Sequence, residues 1–372
     1  MRATLERAHL LKSLTHVHRV VERRNTIPIL SNVLIRSDGS ALNLKATDLD
    51  IEVTEQVPAM VEQGGATTIP AHMLHDIVRK LPEGAQVVLE TNSDGATLTL
   101  SAGRSRFSLQ ILPEADFPDI TAGAFTHSFT LKAGELKRLI DRTQFAISTE
   151  ETRYYLNGIY LHSVEGPDGA MLRAVATDGH RLAQAEIPAP EGSTGIPGVI
   201  VPRKTVSEIQ RLIEDGDEAV KIELSDAKIR FTFQTVVLTS KLIDGTFPDY
   251  GRVIPQNNDK SLHVDRQEFA AAVDRVSTVS SERGRAVKLS LQPGKLTLSV
   301  NNPDSGSATE ELVVEYDADA LDIGFNSRYL LDIAAQLETE TAEFMLADPG
   351  SPTLVRDIGE ARTLYVLMPM RV

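Results

Sequence analysis

The chain contains no cysteine and no tryptophan. Without thiols it can form no disulfide and present no thiolate nucleophile, and the composition suits a reducing compartment. Nowhere among its 372 residues does an apolar run approach the roughly 20 residues that a membrane helix needs. The opening Met1-Arg2-Ala3-Thr4-Leu5-Glu6 lacks the apolar core of a signal peptide. A cytoplasmic location with no membrane partner is therefore expected. Positive charge is also in deficit: 38 Lys and Arg stand against 52 Asp and Glu, a formal net charge of −14. Spread evenly, that balance would argue against nucleic acid, because phosphate binding is mostly cationic attraction. Net charge does not say where charge sits, however. Neither a Gly-x-Ser-x-Gly elbow nor a Gly-x-x-x-x-Gly-Lys loop occurs, so neither a serine hydrolase nor a nucleotide hydrolase is signalled.

What the chain does have is a long repeat. The stretch Ala174-Val175-Ala176-Thr177-Asp178-Gly179-His180-Arg181-Leu182 reads as an apolar strand that ends in a tight turn and restarts. Weaker copies stand at Leu44-Lys45-Ala46-Thr47-Asp48-Leu49-Asp50 and at Leu298-Ser299-Val300-Asn301-Asn302-Pro303-Asp304. Asp48 and Asp178 are 130 positions apart, and Asp178 and Asn302 are 124 apart, one third of the chain. Phe117-Pro118-Asp119 returns as Phe247-Pro248-Asp249, and Ile69-Pro70-Ala71 returns as Val201-Pro202-Arg203 and Phe325-Asn326-Ser327. A period of this length is that of whole domains in tandem, not of a solenoid. The expected domains are 1–124, 125–255 and 256–372.

Each repeat reads alike. Apolar residues at helical spacing come first, as in Leu10, Leu14, Val17 and Val21, followed by alternating strands. A proline or asparagine then opens a second helix, and more strands close the unit. Helices are expected at 7–24, 71–81, 132–147, 202–213, 265–278 and 326–337. The fold class is α+β, with helices segregated to one side of long antiparallel sheet.

The helices also gather the positive charge. Together they hold 17 Lys and Arg against 9 Asp and Glu, leaving the rest of the chain far more acidic than the whole. In the first helix Lys12, His16, Arg19 and Arg23 are spaced to share one face, opposite the apolar stripe. The helices of the third repeat sum to about neutral, so their share of a basic surface should be smallest. Cationic stripes without base readout suit a nonspecific phosphate partner.

Four motifs carry a family resemblance: Tyr154-Tyr155-Leu156-Asn157-Gly158, Ala176 to Leu182, Phe247-Pro248-Asp249-Tyr250 and Met368-Pro369-Met370-Arg371-Val372. In this order, inside a threefold repeat, they resemble the bacterial sliding clamps, the beta subunits of DNA polymerase III. The resemblance covers the full length. It implies three DNA-clamp domains per chain, each with two helices on antiparallel sheets. Two chains would close head to tail as a homodimeric ring around duplex DNA. It further implies a non-catalytic processivity subunit without cofactor. Its partners would be double-stranded DNA, bound without sequence specificity, the polymerase III alpha subunit, the clamp loader, and other polymerases and repair proteins. The protein partners would attach by short linear motifs with a glutamine, a leucine and an aromatic anchor.

By the same resemblance a peptide-binding cleft lies between the second and third repeats. Its wall would include Arg153, Leu156, Thr177, Gly179, His180, Arg181 and Leu182, with Pro248, Arg252 and Val253. Asn326, Tyr329, Val366, Met368, Pro369, Met370, Arg371 and Val372 would complete it. Leucine, valine, proline and flexible methionines make an adaptable apolar pocket. Arg181, Arg252 and Arg371 would hold peptide carbonyls or acidic flanks. The chain departs from the family pattern at Val372, where leucine is usual, and at Gly251, where arginine is common. For DNA the resemblance points to Arg24, Arg79, Arg203 and Lys204, and to Tyr154 and Tyr155, which could stack on a single-stranded segment. For the dimer interface it points to Phe107 and Leu109 on an edge strand, meeting Thr278 and Val279 of the other copy.

Two other readings compete. Asp178 and His180 could form an acid–base pair, but the counterparts Thr47-Asp48-Leu49 and Asn301-Asn302-Pro303 lack the histidine, and a turn with glycine at its bend accounts for the pattern. His72 and His75, or His16 and His18, could ligate a metal, yet no second ligand cluster accompanies them, and a surface position is expected instead. No metal site is expected. The alternative class is a peptide-binding scaffold without a DNA role, which would need helices lacking net positive charge.

Overall fold

A computed structural model describes residues 1–120, 123–213, 216–280 and 285–372. Its α-helices are α1 (Arg7–Val17), α2 (Ala71–Lys80), α3 (Ala133–Thr143), α4 (Arg203–Leu212), α5 (Arg266–Ser277) and α6 (Ser327–Ala334). All stand where the apolar spacing puts them. α1 buries Leu10, Leu14 and Val17, and α5 buries Phe269, Ala272, Val273 and Val276. Asp265 caps α5, its carboxylate accepting from the Glu268 N–H at 2.8 Å.

The first helix is shorter than its apolar stripe predicts. It ends at Val17, a 3-10 turn follows over His18–Val20, and Val21 is extended. Thr15 to Val21 is mostly β-branched residues and histidine, which favour helix weakly. Imidazoles also take carbonyls near this end: His18 Nδ1 lies 2.6 Å from the Leu14 oxygen, and His72 Nε2 lies 2.8 Å from that of Val21. Arg19 and Arg23 therefore leave the helical stripe of Lys12 and His16, and His16 itself is bound to the buried Glu55 at 2.8 Å.

The described residues form two compact units. The first comprises Met1–Gly134, Pro190–Ser193 and Ser207–Leu242; the second comprises Glu135–Ala189, Thr194–Val206 and Ile243–Val372. Within the first, an eight-stranded antiparallel sheet runs in the order His127–Lys132, Ala219–Leu224, Lys228–Phe233, Val236–Lys241, Ile51–Pro58, Ala41–Thr47, Asn32–Asp38 and Ala66–Pro70. A five-stranded sheet accompanies it, ending in the edge strand Ser105–Gln110. Within the second, the eight-stranded order is Val199–Pro202, Gly158–Gly166, Gly169–Thr177, Arg181–Pro188, Thr363–Leu367, Thr353–Asp357, Thr341–Leu346 and Lys260–Asp265. Its four-stranded companion ends in the edge strand Gly306–Val313.

Each eight-stranded sheet thus draws strands from two successive sequence repeats. The join in the first pairs Leu238 with Val53 and Ser240 with Ile51. The join in the second pairs Arg181 with Leu367 and Leu182 with Val366. No helix among the described residues is long and apolar enough to cross a membrane.

The histidines expected at the surface are packed instead. The His75 ring stacks on His18 at 4.0 Å, nearly parallel, and His72 meets His18 edge-on at 5.4 Å. Burial, with the neighbouring His75, His72 and Arg19, pushes the His18 pKa down to about 4. Among the described residues no group of three or more His, Asp or Glu is placed to hold a metal ion.

Candidate peptide-binding cleft

The second unit carries a cleft at the join of its eight-stranded sheet. The strand Gly169–Thr177 ends in the turn Thr177-Asp178-Gly179-His180, and the chain restarts at Arg181. Asp178 Oδ1 accepts from the N–H groups of His180 and Arg181, at 3.0 and 3.1 Å. Thr177 Oγ1 accepts from the Gly179 N–H at 3.1 Å and donates to the Arg181 carbonyl at 2.7 Å. Gly179 has φ +87°, and a Cβ there would lie 2.5 Å from Arg153 Nη1. Glycine adopts this bend without strain and leaves the arginine room against the turn.

That arginine is fixed from two sides. Arg153 Nε and Nη2 grip Glu150 at 2.8 and 2.6 Å, and Nη2 also donates to the Asp178 carbonyl at 3.1 Å. Leu156, Leu182 and Val366 join Val175, Ile200 and Phe247 in one buried apolar cluster. The cleft opens onto that cluster, with a volume of about 270 Å³. Its lining takes Arg153, Leu156, Thr177, Gly179, Arg181 and Leu182 from one side, and Pro248, Val253, Val366 and Met368 from the other. Tyr155, Asp249 and Tyr250 line it too. Asp249 and Tyr250 stand in the Phe-Pro-Asp-Tyr motif, but nothing in their spacing marks them as lining residues. Tyr155, expected to meet nucleic acid, packs here beside the cleft floor.

Of the three arginines expected to hold a ligand, Arg181 lines the cleft with its guanidinium already bound within the protein. Its side chain is 9% exposed. Nε meets Asp178 at 3.2 Å, Nη1 meets Asp332 at 2.5 Å, and Nη2 donates to the Phe145 carbonyl at 2.8 Å. The guanidinium also lies 4.3 Å from the centroid of the Tyr329 ring. Arg181 ties the turn to α6. Arg252 is 84% exposed and is paired to Asp249 at 2.7 Å. Arg371 is exposed near the C-terminus.

The remaining expected residues surround the cleft without lining the cavity. His180 stacks over Tyr329 at 6.3 Å, and Asn326 caps α6 by accepting from the Arg328 N–H at 3.0 Å. The C-terminal segment is held by backbone bonds: Met368 N–H to the His180 carbonyl at 2.9 Å and Met370 N–H to that of Gly324 at 2.8 Å. A Cβ at Gly324 would lie 2.3 Å from Val372 Cγ1, so the tail rests directly on this glycine. Pro369 lies within this held segment, half-buried.

Models of the DNA polymerase III beta subunit match the chain in three successive parts. The N-terminal domain matches residues 1–121, the central domain 130–249 and the C-terminal domain 251–371. The chain belongs to the DNA polymerase III beta subunit family. It is 55% identical over 372 residues to the beta sliding clamp of Caulobacter vibrioides, covering 100% of both chains. To the beta sliding clamp of Escherichia coli (strain K12) it is 40% identical over 374 residues, again covering all of both. A Bartonella birtlesii sliding clamp solved bound to griselimycin superposes with TM-score 0.97 at 58% identity, with full coverage of both chains. The chain is thus three tandem clamp domains of mixed α and β structure with antiparallel sheets, and a non-catalytic processivity factor of DNA replication.

The other expected contact residues fall as follows. Phe107 and Leu109 lie on the edge strand Ser105–Gln110, Leu109 turned into the core and Phe107 lining a depression of about 670 Å³ beside Met73, Ile77 and Leu81. Thr278 is the C-cap of α5, and the Val279 carbonyl accepts from Asn302 Nδ2 at 3.0 Å. Arg24 is exposed, and Arg79 pairs with Asp76 at 3.4 Å. Arg203 opens α4 exposed, with Lys204 next to it. Tyr154 is 53% exposed, its ring edge-on to Tyr155.

Proposed function

We propose that two copies of this chain close head to tail around duplex DNA in the cytoplasm. The cleft then captures short linear motifs of the polymerase III alpha subunit, the clamp loader and other polymerases and repair proteins. The domains divide near residues 124 and 256. The observation that carries the reading is the cleft itself: an apolar floor of Leu156, Leu182 and Val366, with Met368 at its rim, open to solvent at a sheet join. Leucine and aromatic side chains of a peptide would bury there, and Met368 can adapt to different anchors. The griselimycin complex of the Bartonella birtlesii relative supports a ligand-binding role for this family's surface.

The ring closes where sheets end. Ser105–Gln110 and Gly306–Val313 are edge strands, and pairing edges between copies would remove both from solvent. The strand that carries Phe107 and Leu109 of one copy then meets Thr278 and Val279 of the other. Arg24, Arg79, Arg203 and Lys204 contribute cationic, sequence-independent contact to the phosphates. Tyr154 contributes an exposed ring able to stack on a base.

The test is fluorescence anisotropy of a labelled peptide carrying glutamine, leucine and phenylalanine, with unlabelled griselimycin as competitor. The full chain and a chain ending at Leu367 are compared. Saturable binding that is competed, and lost on truncation while the dimer persists, is expected. Equal binding by both chains would move the site away from the C-terminal segment, and loss of the dimer would make that segment structural.

A further inference from the structure

Tyr250 walls the cleft, and its hydroxyl is held by two residues outside the cavity lining. His162 Nε2 lies 2.8 Å from the Tyr250 hydroxyl, and Arg173 Nη1 donates to the same oxygen at 3.1 Å. Arg173 is in turn anchored on Glu186, its Nε 2.8 Å from the carboxylate. The His162 ring cannot swing away: it stacks on Tyr160 at 4.2 Å, and Tyr160 stacks on Phe247 at 4.9 Å. Phe247 belongs to the apolar cluster beneath the cleft.

The chemistry sets the direction of the chain of bonds. Burial disfavours the imidazolium, and the Arg173 guanidinium beside it acts the same way, so His162 is neutral and its Nε2 can accept. Arg173 can only donate. The hydroxyl therefore accepts from Arg173 and donates to His162, and both its roles are used inside the protein. Its only proton is committed inside the protein, and one lone pair remains. What the network supplies is a fixed ring plane.

We propose that His162 and Arg173 are positioning residues of the cleft, which hold the Tyr250 ring as a preformed wall against which an aromatic or leucine side chain of the bound peptide packs. This rests on the reading of the cleft as a peptide site. A wall fixed in advance loses no side-chain freedom on binding, and that is where its contribution to affinity arises.

The test is peptide anisotropy with the full chain and its Tyr250→Phe, His162→Leu, His162→Gln and doubly substituted Tyr250→Phe/His162→Leu variants, each checked for an unchanged melting profile. Tyr250→Phe keeps the ring and removes only the hydroxyl. His162→Leu should weaken binding about 3- to 10-fold, the worth of one lost hydrogen bond, and Tyr250→Phe, which loses the bonds to both His162 and Arg173, by at least as much. The double variant should be no weaker than the worse single one, because both remove the same bond. His162→Gln, which keeps an acceptor, should recover most of the affinity. Affinity within twofold of the parent for both single variants, or losses that multiply in the double, would overturn the proposal. Absence of binding by the parent chain would instead sink the cleft reading, and the positioning role with it.

Discussion

Leu49 and Gly179 occupy the same position of the same turn in the two units. Their φ angles are 80° and 87°. Around Leu49, Thr47 Oγ1 accepts its N–H at 3.0 Å, and Asp48 Oδ1 accepts from Asp50 and Ile51 at 2.9 and 2.8 Å. The same bonds surround Gly179, donor for donor. Even the exit is copied: Lys241 N–H bonds the Asp50 carbonyl as Met368 N–H bonds that of His180. One turn tolerates a left-handed leucine; the other also admits an arginine against its backbone.

That difference makes an asymmetric prediction. Leu49→Gly relieves a left-handed side chain and should change stability by no more than about 1 kcal/mol. Gly179→Ala gains the same strain and drives a Cβ onto Arg153 Nη1, 2.5 Å away. It should destabilise by about 1–2 kcal/mol and weaken peptide binding, because Arg153 must leave the cleft rim. Denaturant melts and anisotropy on both variants check this. Equal costs at the two positions would show that Arg153 is free to move.

Arg181 is held as part of the fold. Arg181→Met would leave Asp178 and Asp332 facing a vacated, mostly buried position, and should cost about 3 kcal/mol or more in urea unfolding. Arg252→Met, at an exposed pair, should cost less than about 1 kcal/mol. If the two variants melt together, the buried network carries no stability.

Arg19 and Arg23 are exposed beyond the end of α1. Reversing both to glutamate should weaken retention on DNA. It should also flatten the dependence of log affinity on log salt by about one for each phosphate that is no longer neutralised. A salt slope equal to the parent's would remove these residues from the DNA surface.

His18 sets a pH dependence. Its pKa falls from about 6.5 in the unfolded chain to about 4 in the fold, chiefly by burial. Between those values the unfolded chain binds a proton that the folded chain refuses. Its contribution to stability is therefore full above pH 6.5 and is lost as pH falls toward 4. Burial lowers His75 and His162 in the same direction. Melting temperatures from pH 8 to pH 5 should fall on the acid side, and His18→Gln should flatten part of that fall. A parent chain that grows more stable over the same interval would contradict the assignment.

The spacing of apolar residues placed every helix, because burial of one stripe is a local property of the sequence. It overextended the first helix, since Val21 continues the stripe although His18 and His72 take nearby carbonyls. The turn at Thr177–Arg181 was legible for a similar reason: its bonds are made by neighbours, and Asp and Gly at fixed offsets state them. Much of the cleft lining was legible through its motifs. The different settings of Tyr154 and Tyr155 were not legible because adjacent tyrosines look alike in sequence, and only the 3-10 turn Glu151–Leu156 leaves one exposed and packs the other against the apolar cluster. The bond of Arg181 to Asp332 was not legible because the partner stands 151 residues away, and no local pattern reveals it.

By itself, the sequence determined a threefold repeat, the helix and strand periods and the shape of the bend, all set by neighbours within a few residues. Only the tertiary structure decided that each large sheet is shared by successive repeats, that Arg181 is bound to Asp178, Asp332 and the Phe145 carbonyl, and that His162 and Arg173 bond the Tyr250 hydroxyl. Those outcomes depend on strands and side chains meeting across scores of residues, where burial and hydrogen-bond satisfaction of the whole unit select the partners.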